Sequence, residues 1–142
     1  MSLTKDLQST LTAVIRRYRS CDCDIEREME RVVEWCEKNS VEVLKRAAFS
    51  LPLQQIAISP SLLFVRGSSD ALNAESVAVV GTRHPTSYGV RAALYFAENL
   101  ARAGYVVVSG LARGIDTAAH RGTLRMHGKT IAVLGHGLDH VY

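Results

Sequence analysis

Two glycine-bearing segments hold the side chains whose types and spacing suggest chemistry. In Gly81-Thr82-Arg83-His84-Pro85-Thr86-Ser87-Tyr88-Gly89, Gly81 lets the backbone turn sharply and approach a ligand closely. Thr86 or Ser87 can cap a helix that follows, and the free N–H groups at such a helix start attract an anion. Arg83 adds a planar fork of donors that suits a phosphate or stacks on a base. Together they read as a phosphate-holding turn. In Ser109-Gly110-Leu111-Ala112-Arg113-Gly114-Ile115-Asp116-Thr117-Ala118-Ala119-His120, Gly110 and Gly114 bracket a second loop that runs into another helix start. Asp116 falls in the first turn, where a carboxylate complements the helix dipole. His120 is four residues further on, on the same face, within reach of a hydrogen bond. The pair invites an acid–base reading. No serine or cysteine nucleophile is placed beside it, so the expected roles are structural: Asp116 fixes the loop and His120 packs beneath it.

Strands must deliver these turns. Val77-Ala78-Val79-Val80 is apolar throughout, as a strand buried on both faces should be. Residues 87–103 read as a helix with Leu94, Ala97, Leu100 and Ala101 on one face and Gly104 as its stop. Tyr105–Val108 is the next strand, Ile115 to His127 the next helix, closed by Gly128, and Thr130–Leu134 a further strand. Gly135-His136-Gly137 follows it as a third glycine turn, with Gly135 and Gly137 shaping the loop. The alternation predicts parallel strands with right-handed helical crossovers. Ligands of such sheets sit at the carboxyl ends of the strands, where all three glycine turns fall. The Gly-x-Gly-x-x-Gly fingerprint does not follow Val80, no acidic residue ends the second strand of the unit, and the P-loop pattern is absent. NAD binding and an ATP-driven motor are therefore disfavoured, and no cofactor is expected.

Upstream the pattern is helical. Leu7, Leu11, Val14, Ile15 and Tyr18 recur at helical spacing, as do Ile25, Met29, Val32, Val33 and Cys36 after a polar break at residues 21–24. Val41, Leu44, Ala47, Ala48 and Leu51 suggest a third helix stopped by Pro52. The expected organisation is thus a helical segment, residues 1–57, ahead of an α/β part, residues 58–142. Leu62–Val65 reads as a short strand ending at Gly67. The sequence stops at Tyr142, just after the third strand of the alternating unit, which predicts an incomplete sheet and the front part of a longer domain.

The 142 residues are 47% hydrophobic and 22% charged, a globular balance with no apolar run long enough to span a membrane. The three cysteines, Cys21, Cys23 and Cys36, are an odd number without a secretory leader, which favours reduced thiols in the cytoplasm. No histidine precedes His84, so Cys21 and Cys23 lack the ligand set of a zinc site and no metal is expected. Residues 1–57 carry nine basic and nine acidic side chains, whereas residues 58–142 carry eight and five. The whole net charge of +3 therefore sits with the glycine turns, which is compatible with an anionic ligand or nucleic acid.

Several motifs in order make a family resemblance specific. They are Val77-Ala78-Val79-Val80-Gly81-Thr82-Arg83, Pro85, Tyr88-Gly89, Ser109-Gly110-Leu111-Ala112-x-Gly114-Ile115-Asp116, Ala119-His120 and Thr130-Ile131-Ala132-Val133-Leu134-Gly135-x-Gly137-Leu138-Asp139, preceded by Pro60-Ser61-Leu62-Leu63-Phe64-Val65-Arg66-Gly67. This stretch, from about Ser59 to Tyr142, resembles the DprA/Smf family of DNA-processing proteins. The resemblance implies an α/β, Rossmann-like three-layer parallel sheet, here incomplete and preceded by a small helical segment. It implies a cytoplasmic protein that binds single-stranded DNA, pairs as a homodimer when full-length, and delivers that DNA to RecA during natural transformation without enzymatic turnover. The phosphate-binding set expected from the glycine turns and this resemblance together is Gly81, Thr82, Arg83, Ser87, Ser109, Gly110, Ala112, Arg113 and Gly114, with Arg83 foremost; Tyr88 is a nearby candidate for base stacking and equally a candidate for the core. The family's domain continues past Tyr142 with a basic segment and its dimer surface, so this stretch alone is expected to bind weakly. Residues 1–57 match no DNA-binding motif. Two other functions stand beside this one. One is nucleotide binding or hydrolysis, as in the related lysine-decarboxylase-like Rossmann group, whose Pro-Gly-Gly-x-Gly-Thr-x-x-Glu signature would fall beyond Tyr142. The other is an inactive truncated product. The Ser-Gly-Leu-Ala-x-Gly-Ile-Asp loop favours the DNA-binding reading.

Overall fold

The computed structural model describes residues 5–18 and 24–140; Cys21, Cys23 and Tyr142 lie outside them. The chain divides into two compact units, Met1–Ser69 and Asp70–Tyr142.

In the first unit, helices α1 (Lys5–Tyr18) and α2 (Ile25–Lys38) pack on each other. Asp24 caps α2 by accepting from the Arg27 amide, and Leu11 and Cys36 are buried. Burial pushes the Cys36 thiol above its usual range. Beyond α2 the chain departs from the helical expectation. Ser40 takes φ 53°, and Val41–Lys45 is strand β1, followed by a single 3-10 turn, Arg46–Ala48, and a short helix α3, Leu51–Gln55. β1 pairs antiparallel with β2 (Leu62–Arg66), Val41 opposite Arg66 and Lys45 opposite Leu62. The apolar residues of 41–51 fit a helical period, but Val41 and Val43 alternate along a strand equally well, and β-branched residues favour the pleated partner that β2 supplies. Thus β2, expected to lead into the α/β part, belongs to an antiparallel pair. Gly67, at φ 112°, ends it.

The second unit is a parallel sheet in the order β3 (Ser76–Ala78), β4 (Val106–Ser109), β5 (Thr130–Ala132). Helix α4 (Ser87–Arg102) connects the first two strands and α5 (Ile115–Arg125) the last two. The mixed α/β fold with a small parallel sheet is the expected one. Two crossovers that step across the sheet in the same direction put both helices on one face, where α4 and α5 pack on each other. Ala97 of α4, Val107 of β4 and Ala119 of α5 accordingly meet in a fully buried cluster, with Val79 and Leu100 against it. Small residues at Ala93, Ala97, Ala118 and Ala119 let the helices approach closely. Only one side of the sheet receives this cover. Ala78, Val80 and Val133, which alternate onto the other side, are exposed, so the expectation of burial on both faces fails at Val80.

Helix α5 also ends differently from its expected stop. Met126 is its C-cap and His127, not Gly128, takes the left-handed conformation, at φ 54°. Gly128 is needed for another reason: a Cβ there would lie 2.6 Å from that of Ala101 on α4.

Candidate functional site

The first glycine turn leaves β3 and enters α4. Thr86, not Ser87, is the N-cap; its hydroxyl accepts from the Gly89 amide at 3.1 Å. The Thr82 hydroxyl accepts from the His84 amide at 3.1 Å and tightens the turn. The first amides of a helix have no partner within it. With Gly89 satisfied by the cap, those of Ser87 and Tyr88 remain at an exposed end of the helix. Arg83, Ser87 and Tyr88 are all exposed, and Arg83 makes no ion pair among the described residues.

The second turn is built against the first. Gly114 has φ 88° and ψ −123°, a region essentially restricted to glycine. A Cβ there would run into the Thr82 carbonyl oxygen and would come within 2.9 Å of the Arg83 carbonyl. The contact is reinforced by the Ile115 amide, which donates to the Thr82 carbonyl at 3.2 Å. Asp116 then joins the two loops. One carboxylate oxygen accepts from the Gly81 amide at 3.2 Å and the other from the Gly110 amide at 3.1 Å. The carboxylate is buried, and its charge is spent on backbone donors from the ends of two neighbouring strands.

His120 does not bond Asp116. Its Nδ1 lies 2.7 Å from the Thr130 hydroxyl, and that hydroxyl donates to the Val107 carbonyl at 2.7 Å. Thr130 has one proton to give, so Nδ1–H is the donor to it. Nε2 is buried with no hydrogen-bond partner. Burial holds the imidazole below its ordinary value, against an upward pull from the Asp116 charge. Asp116 and His120 share a helix face, yet each is committed elsewhere.

Ser109, expected among the phosphate contacts, is the residue that the fold takes away. It is 2% exposed and its hydroxyl donates to the Val79 carbonyl at 2.7 Å. Its side chain ties β4 to the end of β3 and does not reach the surface. The rest of that loop is accessible: Leu111 and Arg113 are exposed and Gly110, Ala112 and Gly114 partly so. The third turn adjoins the second, because the Val133 amide donates to the Ser109 carbonyl at 2.8 Å. Within it the Gly137 carbonyl lies 2.8 Å from His136 Nδ1, and Gly135 is exposed. Gly81, Thr82, Arg83, Ser87, Gly110, Ala112, Arg113 and Gly114 thus gather at the carboxyl ends of the strands. Among the described residues no three His, Cys, Asp or Glu side chains cluster as a metal would require, and no helix is long and apolar enough to cross a membrane.

An open parallel sheet with glycine loops at the carboxyl ends of its strands defines a Rossmann-like domain. Residues 40–142 match the family described as DNA recombination-mediator protein A. The chain is 30% identical over 148 residues to the DNA processing protein DprA of Bacillus subtilis, covering 100% of this chain and 50% of that protein. The X-ray structure of DNA processing protein A (DprA) from Streptococcus pneumoniae superposes with a TM-score of 0.68 and 34% identity over 93% of this chain and 49% of that one. DNA processing protein A from Helicobacter pylori, whose structure concerns its single-stranded DNA binding mode, gives a TM-score of 0.63 and 29% identity over 72% of this chain and 46% of that one. The chain belongs to the DprA/Smf family. It spans half, or slightly less, of the length of these relatives.

Proposed function

We propose that this chain carries the phosphate-gripping half of a single-stranded DNA-binding recombination mediator. The observation that carries the reading is the way Asp116 spends its charge. By taking the Gly81 and Gly110 amides it locks two loops together and leaves Arg83 and Arg113 exposed beside them, without an ion pair among the described residues. The edge is therefore rigid and positive, which suits a sequence-independent backbone grip. The single-stranded DNA binding of the Helicobacter pylori relative supports the same ligand. Binding rather than turnover is supported by the commitments of Asp116 and His120, each of which is held by other groups and kept from acting as an acid–base pair. Delivery of the bound strand to RecA, pairing as a homodimer in the full-length protein and a cytoplasmic setting complete the proposal.

The test is a gel-shift titration with single-stranded oligonucleotide over a range of salt. Arg83→Ala should weaken binding by about 1–3 kcal/mol, the worth of a charge-assisted contact, and lower the salt slope by about 0.7, as loss of one phosphate contact requires. Unchanged affinity and slope would remove Arg83 from the site.

A further inference from the structure

Outward of the strand-end loops, α4 presents a face that the phosphate grip does not use. Tyr88, Arg91, Tyr95 and Arg102 follow one another at intervals of three, four and seven residues, so they stack along one side of the helix. All four are exposed; Tyr88 is 74% and Tyr95 63% accessible. The opposite side is the one buried against the sheet and α5, through Ala93 and Ala97. Phe96 meets Tyr95 edge to face, with ring centroids 5.7 Å apart and planes at 75°, and so braces the ring. The sole acid of α4, Glu98, is drawn off by Arg125 of α5 at 3.4 Å. Arg91 and Arg102 have no ion pair among the described residues. The stripe begins with Tyr88 at the helix end where Arg83 and the open amides lie, and runs for about 20 Å at 1.5 Å per residue.

We infer that this face is a stacking platform along which single-stranded nucleic acid continues beyond the Arg83 turn. Aromatic rings take bases of any sequence and the arginines between them take the backbone, the arrangement that single-strand binders use. The inference rests on the DNA-binding reading above. A second copy of the chain is the competing occupant. It fits less well, because a two-fold contact centred on this face would bring Arg91 and Arg102 toward their own counterparts.

The test is fluorescence anisotropy of the chain with labelled oligothymidylates of about six and about twenty nucleotides, a range that brackets common single-strand site sizes. Arg83→Ala should weaken both. Tyr95→Ala and Arg91→Ala should leave the short oligonucleotide within about twofold and weaken the long one about five- to tenfold, the loss of one stacked base or one charged contact. Tyr95→Phe, which keeps the ring, should retain the affinity for the long one. Thermal melting of each variant at the wild-type midpoint establishes that the fold is intact. If the long oligonucleotide binds both α4 variants as it does wild type while Arg83→Ala still weakens it, the platform is refuted and the phosphate grip stands. If wild type binds neither oligonucleotide, the DNA-binding reading fails and the platform falls with it. If Tyr95→Ala changes sedimentation but not affinity, the face is a self-association surface and the proposal is overturned.

Discussion

Helices α4 and α5 begin at the same edge of the same sheet, each after a strand and a glycine-bearing turn, yet their first turns face opposite ways. The start of α4 looks outward. A threonine caps it, Ser87 and Tyr88 are exposed, and their amides have no partner within the helix. The start of α5 looks inward. Its Ile115 amide is taken by Thr82, its Thr117 amide by Ala112, and its first-turn carboxylate by Gly81 and Gly110. One helix start is open to solvent and the other is tied into the neighbouring loops. Two turns with similar composition therefore deserve different tests: substitutions at α5 should act on stability first, those at α4 on binding first.

Gly114→Ala breaks the inward side most severely. It adds strain at φ 88° to a collision with two carbonyls of the first turn. The expected loss is about 3 kcal/mol or more, read as a fall in the midpoint of urea unfolding. A wild-type midpoint would mean that the two loops are not in contact. Asp116→Asn comes next. Asparagine offers one acceptor oxygen where the carboxylate offers two, and its NH2 would face a backbone N–H. The expected cost is about 1–3 kcal/mol, with weaker DNA binding as a consequence of the loosened loops. An Asn variant with full stability would show that Asp116 is not the joint.

The smallest effect separates His120 from Asp116. The buried imidazole is held below its ordinary value, so on acidification the unfolded chain takes up this proton first, near pH 6.5. The stabilisation is complete above that pH and is lost progressively below it, until the folded state is protonated too. Denaturation midpoints measured between about pH 7.5 and 5.5 should fall, with a slope of no more than about 1.4 kcal/mol per pH unit from this one group. His120→Gln should flatten the fall. An identical pH profile in the variant would show that the imidazole is not what the acid reaches.

Much of the outward-facing half is legible in the sequence. The turn after Val80, the threonine cap and the extent of α4 follow from local rules, because each depends on neighbours within a few residues. What escaped depends on distant partners. Residues 41–45 become a strand because residues 62–66 are there to pair with it, and their apolar spacing alone suits either structure. Ser109 looks available in the sequence, but its hydroxyl is aimed at a carbonyl 30 residues earlier. The spacing of Asp116 and His120 correctly puts them on one face of α5, yet Gly81, Gly110 and Thr130 claim them instead. The α4 stripe was half visible: Tyr88 stood out beside a recognisable motif, whereas Tyr95 and Arg91 gain meaning only once the buried side of the helix is known.

The strand order has a consequence of a different kind. Only β4 is paired along both sides among the described residues; β3 and β5 each show one side unpaired, beside exposed Val80 and Val133. An unpaired strand side is a template that any other extended segment can read, so concentration becomes part of how this unit behaves. Whatever occupies those margins in a larger assembly also protects the chain from itself.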